Sequence, residues 1–300
     1  VAAEDLGIQC DVVHEYGGRG IGPYWRLWRN MRSKLAEQRY DLVHAHYGFT
    51  GVVAAAQRSV PTIVTFHGSD VLGRAFDGPC VRGLGAFEAW LSKRLARKVD
   101  HAIVVSQAMQ DRLKAPRATV AQMGIDLERF QHVPRATARN ELELDSSKPI
   151  VLFVGDPTLK RKRFSLAMGA MEVARQHVPS AELLPLYGRD HSEIPLYMNA
   201  ADALLLTSYV EGSPTVVKEA MACDLPVVSV AVGDVQEQLR GVRPSYIRDP
   251  HPEPLGMALA DLLRTPRRSN GRAMVERFAN AHVASMVVDL YGKVPEGGPS

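Results

Sequence analysis

The chain has 300 residues, 46% of them hydrophobic and 23% charged, with a formal net charge of +3 and a pI near 8.8. This length accommodates two domains with cores of their own, and so mild a positive charge fits an anionic substrate or an acidic membrane surface but falls short of a nucleic-acid binder. Three scattered cysteines, Cys10, Cys80 and Cys223, support neither a disulfide framework nor a zinc site, and with no signal peptide and no apolar run of ~18–20 residues a reducing cytoplasm is the expected location.

The chain opens on Val1-Ala-Ala-Glu-Asp-Leu-Gly7, without Met, in the manner of a helix already under way, so a preceding segment is expected. A strand follows at Cys10–His14. Gly17-Gly-Arg-Gly-Ile-Gly22 fails the dinucleotide fingerprint GxGxxG because residue 23 is Pro, and reads as a flexible loop. Tyr24–Gln38 has a helical pattern in which Trp25, Trp28, Arg29 and Arg32 recur at three- and four-residue spacing. That suits either a helix lying on an anionic bilayer or a surface helix with its tryptophans packed inward. Strands at Leu42–His46 and Thr62–His67, a helix at Phe87–Lys98 and strands at Ala102–Ser106 and Val120–Met123 come next. The polar stretch Phe130–Lys148, with a short helix at Arg135–Leu142, reads as a linker. Beyond it lie strand Ile150–Gly155, helix Arg163–His177, strands Ala181–Leu186 and Ala203–Thr207, helix Pro214–Ala222, strand Val227–Val232, and helices Val235–Leu239, Glu253–Arg264 and Gly271–Leu290.

Apolar runs such as Ile150-Val-Leu-Phe-Val154 mark parallel strands covered on both faces. The repeating β-α-β order predicts an α/β protein with doubly wound sheets. The expected domains are residues 1–135, residues 136–270, and a C-terminal helix and tail over 271–300. Two such Rossmann-like halves would enclose a cleft between the carboxyl ends of their sheets.

Glu211-Gly-Ser-Pro-Thr-Val-Val-Lys-Glu219 holds the most chemistry. Ser213 reads as a helix N-cap and Pro214 as the first helical residue. The bare N–H groups around Thr215 and Val216 then make an anion site suited to a phosphate. Glu211 in the loop and Glu219 on the second turn would lie toward either end of a diphosphate, the layout a nucleotide sugar needs; the alternative is a pair of ordinary helix-flank glutamates. Lys160-Arg-Lys-Arg163 follows the strand ending at Gly155 and offers cations to a departing diphosphate, or is a solvated basic run. His67 ends an apolar strand before Gly68, and Asp70 is either its helper or the cap of the next helix. His44 and His46 are read as facing opposite sides of their strand, unable to hold a metal together.

Six motifs in order resemble a known family. They are Asp41-Leu-Val-His-Ala-His46, Thr65-Phe-His-Gly-Ser-Asp70, Met123-Gly-Ile-Asp126, Val154-Gly-Asp-Pro-Thr-Leu-Lys-Arg-Lys-Arg163, Ala200-Ala-Asp-Ala-Leu-Leu-Leu-Thr-Ser208, and the Glu211 to Glu219 stretch continuing through Ala-Met-Ala-Cys-Asp-Leu-Pro-Val-Val228. Together they are similar to the retaining, nucleotide-sugar-dependent glycosyltransferases of family 4, with the GT-B fold. The resemblance implies an N-terminal acceptor domain, a C-terminal donor domain, and a final helix that crosses back to the first. It implies a UDP- or GDP-sugar donor, a hydroxyl acceptor on a polysaccharide, lipid-linked glycan or glycoside, no cofactor and no metal.

By the same resemblance Glu219 accepts hydrogen bonds from the donor ribose, Glu211 lies beside the transferred sugar, and Lys162 faces the diphosphate with Arg161 and Lys160 as further cations. Gly155, Ser213, Thr215 and Val216 fall on the donor side. His67 lies near the sugar, with His46 and Asp70 as acceptor-side candidates. The chain departs from the family at Asp156, Met123 and Asp224, where arginine, asparagine and glycine are usual, and the family's glycine-rich loop would lie upstream of residue 1. A nucleotide-sugar epimerase or phosphorylase on the same fold, or a non-catalytic nucleotide-binding relative, are the alternatives.

Overall fold

A computed structural model describes residues 4–15, 20–73 and 79–294. Gly17, Gly18 and Arg19 of the glycine-rich loop and residues 295–300 of the expected tail lie outside the described residues. The chain divides into two compact units, Val1–Met123 with Ala281–Ser300, and Gly124–Asn280.

The first unit contains α1 (Gly22–Glu37), β1 (Val43–His46), α2 (Gly48–Ala55), β2 (Thr62–Phe66), α3 (Ser69–Leu72), α4 (Pro79–Leu95), β3 (His101–Val104), α5 (Gln107–Leu113) and β4 (Ala118–Val120). Its strands are all parallel, in the order β1-β2-β3-β4. Side chains alternate across a strand, and both faces of this sheet are filled. Val64, Phe66, Ala102 and Val104 pack with Leu95, Met109 and Leu113. Ile63 and Ile103 point the other way and pack with Leu290, flanked by Val287 and Tyr291 from near the end of the chain.

Residues 8–15, expected to hold a strand, form no ladder. Their carboxylates reach α1 instead: Glu15 pairs with Arg26 at 3.0 Å and Asp11 with Lys34 at 3.4 Å. Side-chain ties to a basic helix hold this segment outside the sheet, and among the described residues β1 is left at its edge.

The second unit contains α6 (Arg135–Glu141), β5 (Ile150–Val154), α7 (Phe164–Arg175), β6 (Glu182–Leu186), α8 (Ile194–Ala200), β7 (Ala203–Leu206), α9 (Thr215–Ala222), β8 (Val227–Val230), α10 (Val235–Gln238), β9 (Tyr246–Arg248), α11 (Pro252–Arg264) and α12 (Gly271–Val275). Its five parallel strands run β6-β5-β7-β8-β9. The sequence put the divisions after residues 135 and 270; in the structure they fall after Met123 and Asn280. Ile125 and Phe130 belong to the second core, and Arg139 of the supposed linker is buried with its guanidinium on Asp202 at 2.7 Å.

The helix expected over Gly271–Leu290 is broken. After α12 and a single 3₁₀ turn, Ala279 becomes extended, and α13 (Asn280–Tyr291) starts afresh. The break follows from a bridge: the Ile125 N–H donates to the Phe278 carbonyl at 2.9 Å and the Asn280 N–H to the Ile125 carbonyl at 3.0 Å. Backbone groups engaged this way cannot also serve an uninterrupted helix.

Helix α11 packs on α7 through Gly256. A Cβ there would lie 2.5 Å from the Ala170 carbonyl oxygen and 2.5 Å from Val173 Cβ, both on α7. Alanine normally favours a helix over glycine by about 1 kcal/mol, but overpacking a rigid helix pair costs typically 1–3 kcal/mol. Gly256→Ala should therefore lower stability, read as a fall in thermal midpoint.

Candidate functional site

In the second unit the strand order reverses between β5 and β7, and in such sheets ligands bind outside the carboxyl ends at that reversal. The loops leaving these two strands hold most of the residues singled out from sequence. After β5, Gly155 has φ +137°, and the Lys162 stem crosses it so closely that a Cβ would lie 3.1 Å from Lys162 Cε. Lys160–Lys162 form one 3₁₀ turn. Lys162 Nζ bonds Glu211 Oε1 at 2.7 Å, joining the β5 and β7 loops, and Arg161 approaches the same oxygen at 3.9 Å. Lys160 is exposed. Two cations against one carboxylate leave a net positive charge here.

Arg163 is turned elsewhere. Its guanidinium bonds the carbonyls of Thr207 at 2.5 Å and Ser208 at 3.2 Å and lies 4.2 Å over the Tyr209 ring. The Tyr209 N–H donates to the Arg161 carbonyl at 2.8 Å and the Thr207 hydroxyl to that of Lys162 at 2.8 Å. These bonds fix the two loops against each other, so the Lys162–Glu211 contact sits on a rigid frame.

Helix α9 begins at Thr215 with Pro214, not Ser213, as its N-cap and no side-chain cap. The N–H groups of Thr215 and Val216 are first-turn donors with no intrahelical partner. The Ser213 hydroxyl, expected to cap the helix, turns inward and donates to Asp234 Oδ2 at 2.8 Å. Its lone pairs take Lys218 Nζ at 3.1 Å and Gln238 Nε2 at 3.3 Å in place of the local N–H groups. Glu219 is only 7% exposed, not solvent-facing, with His191 Nε2 3.5 Å from Oε1. Burial raises its pKa, against the lowering effect of His191 and of a hydrogen bond with the Thr215 side chain.

The first unit gathers His44, His46 and His67. Positions 44 and 46 pair in register with 63 and 65, and alternate residues of a strand share a face. The expectation that His44 and His46 diverge is therefore corrected: their rings stack at 4.7 Å. His44 bonds the Tyr291 hydroxyl at 2.6 Å and that of Thr65 at 2.7 Å, while His46 Nδ1 meets His67 Nε2 at 2.9 Å. Burial lowers the pKa of all three, His44 to about 3 and His67 to about 4. They are neutral imidazoles at pH 7.

Asp70 is buried and accepts the N–H groups of His67 and Gly68 at 3.1 and 2.8 Å, so it shapes the turn that presents His67. Tyr47, at φ +72° where non-glycine residues are strained, sets its ring 4.5 Å from that of His67. A pocket of about 590 Å³ beside β1 has His44, His46, Tyr47 and Thr50 on its lining. Among the described residues no group of three or more His, Cys, Asp or Glu is placed to hold a metal ion.

A sequence profile of Glycosyltransferase Family 4 matches residues 4–129, and one of Glycosyl transferases group 1 matches residues 183–279. The chain belongs to the family-4 glycosyltransferases. This family-4 chain is 30% identical over 217 residues to TuaC of Bacillus subtilis (strain 168), named as a teichuronic acid biosynthesis glycosyltransferase, covering 65% of the chain and 54% of that protein. It is 27% identical over 300 residues to the D-inositol 3-phosphate glycosyltransferase of Mycolicibacterium gilvum, covering 85% and 66%. It thus spans about half to two thirds of the length of these curated relatives.

Among solved structures the chain resembles the sucrose-phosphate synthase of Thermosynechococcus elongatus, with a TM-score of 0.78 at 24% identity over 93% of this chain and 80% of that one. It also resembles Anabaena HepE in complex with UDP and glucose, with a TM-score of 0.73 at 18% identity over 97% and 88%. At these identities the likeness establishes the GT-B fold.

The sequence reading of this family-4 chain missed His191, Asp234, Lys218, Tyr47 and Tyr291. His191 and Asp234 lie in short loops without local pattern. Lys218 sits in a helix buried on nearly every side, where no amphipathic stripe singles out one position. The depressed histidines give a pH test with a definite sign. Folded His44 and His67 stay neutral to about pH 4, whereas unfolded they take up a proton below pH ~6.5, so their contribution is fully present above that value and is lost as the pH falls toward 4. The slope is up to about 1.4 kcal/mol per pH unit for each group. Thermal melts between pH 7 and 4.5 should show this loss, and His67→Gln should flatten it.

Proposed function

We propose that this family-4 chain transfers a sugar from a UDP- or GDP-sugar to a hydroxyl acceptor with retention at the anomeric carbon. The observation that supports the reading best is the grouping at the strand reversal: Lys162 and Arg161 around Glu211, the uncapped start of α9, and a buried Glu219 eight residues further on. A nucleoside diphosphate has complementary needs. Its phosphates take the two cations and the free N–H groups of Thr215 and Val216. Its ribose hydroxyls donate to Glu219, since an ionised carboxylate only accepts.

In the reaction the largest developing charge is on the leaving diphosphate, and the surplus positive charge of Lys162 and Arg161 is in place to stabilise it without a metal ion. Lys160 adds to that field from the same turn. Gly155 lets the Lys162 stem pass, and Ser213 contributes through the loop backbone, its hydroxyl being engaged inward. Glu211 serves the transferred sugar by accepting a ring hydroxyl and favouring positive charge at the anomeric carbon. In the first unit, neutral His67 and His46 can each donate to or accept from a hydroxyl, which suits sugar or acceptor recognition, and Asp70 sets the geometry of His67.

TuaC's name supports an acceptor in polysaccharide synthesis. Trp25, 62% exposed on α1 and stacked on Trp28 with Arg32 over the latter ring, supports contact with an anionic membrane surface. Among the described residues no helix is long and apolar enough to cross one.

Calorimetric titration with UDP, GDP and ADP tests the donor site. One nucleotide should bind selectively, and Glu219→Ala and Lys162→Ala should each weaken it about tenfold or more, the loss of a charge-assisted hydrogen bond. Folded protein that binds none of the three would overturn the reading.

A further inference from the structure

Directly beneath the Glu211 loop lies a second polar group that the proposed reaction does not use. Lys218 on α9 is 0% exposed. A buried ammonium is tolerated only when held by several partners. Lys218 Nζ donates to the Ser213 hydroxyl at 3.1 Å and lies 4.9 Å over the Phe278 ring. The Ser213 hydroxyl donates to Asp234 Oδ2 at 2.8 Å, and Gln238 Nε2 donates to Asp234 Oδ1 at 2.7 Å and to the Ser213 hydroxyl at 3.3 Å. A hydroxyl has one hydrogen and two lone pairs, and Ser213 has all three engaged. Burial brings the Lys218 pKa down to about 8, while the charges of Asp234 and Glu237 pull it back up.

The neighbouring backbone is fixed as tightly. Gly233 has φ +55°, and a Cβ there would lie 2.8 Å from the Gly212 carbonyl oxygen and 2.9 Å from that of Glu211. Residues 211–213 are therefore gripped twice, through the carbonyl side of Glu211 and Gly212 and through the Ser213 side chain.

We propose that Lys218, Asp234 and Gln238, with Gly233, are positioning residues that clamp the Glu211–Ser213 loop and so set where the Glu211 carboxylate stands. The functional meaning of the clamp rests on the donor-site reading; the clamp itself does not. Replacing a buried ion pair by neutral groups is often neutral or stabilising, so stability alone does not account for two opposite charges brought to one serine hydroxyl. The network's geometry, converging on a loop with a carboxylate at its tip, does.

The experiment compares Lys218→Met, Asp234→Asn, the double variant and Gly233→Ala with the parent chain. The readouts are thermal midpoint, amide exchange of residues 209–216 by mass spectrometry, and turnover of UDP-glucose and GDP-mannose, with Glu211→Gln alongside. The single variants leave a buried charge unmatched and should lose thermal stability. The double variant, with both charges removed, should regain the parent midpoint. Exchange in 209–216 should nevertheless rise about tenfold, as expected for losing a charge-assisted hydrogen bond that closes a local opening. Turnover should fall by more than KM changes, because the nucleotide keeps Lys162, Arg161 and Glu219 while the Glu211 carboxylate loses its position. Parent-like exchange of 209–216 in the double variant would overturn the clamp, even where Glu211→Gln abolishes turnover. If exchange rises as expected but Glu211→Gln leaves turnover intact, the clamp stands and the role assigned to Glu211 fails.

Discussion

Parallel strands cannot be joined by tight turns. Each must return through a crossover, usually a helix, and the sheet is covered on both faces as a result. Both units of this chain obey that constraint, and their chemistry follows from it. All strands of a unit end on the same side, so the loops that follow them gather there whatever their distance in sequence. Lys162 and Glu211 are 49 positions apart and meet at 2.7 Å because β5 and β7 are neighbours with crossovers running in opposite directions. His46 and His67 meet for the same reason at the ends of β1 and β2.

The electrostatics of the second unit are layered. Nearest solvent, Lys162 and Arg161 outnumber Glu211. One layer in, Arg163 is committed to backbone carbonyls, and Lys218 and Asp234 share the Ser213 hydroxyl. The outer layer is the more open of the two, its Lys162, Glu211 and Arg161 side chains 14%, 15% and 36% exposed. In the inner layer an unmatched charge would be far more costly. Glu219 stands apart as a buried carboxylate near an exposed histidine, His191, which leaves it better suited to accepting hydroxyls than to forming a permanent ion pair.

Much of this was legible in the sequence. Strands buried on both faces appear as unbroken apolar runs, so β2, β5, β7 and β8 were found close to their observed limits. The ordered motifs pointed to the family and to Lys162, Glu211 and Glu219. What escaped had no local signature. Three- and four-residue elements such as β9 and α3 are too short to show a period. Ser213 followed a capping rule that holds for an isolated helix and yielded to Asp234, 21 residues away. The helix over Gly271–Leu290 had a continuous pattern, yet a bridge to Ile125 interrupts it. His44 and His46 were misjudged in sign although the two-residue repeat of a strand puts them on one face.

The bridge between Ile125 and Ala279 has a further consequence. It ties together the first and last few residues of the second unit, so that unit enters and leaves the chain through a single closed neck. The first unit, by contrast, is interrupted: Leu290, part of its core, is encoded after the whole of the second. The arrangement is that of one domain inserted into another. A gene cut once after Met123 would leave the host without Leu290, part of its hydrophobic core, and the other piece carrying a host helix it has no use for. In evolution or in the laboratory, the natural unit of exchange is therefore the segment from Gly124 to Asn280, lifted out whole, with the two remaining stretches rejoined where the neck had been.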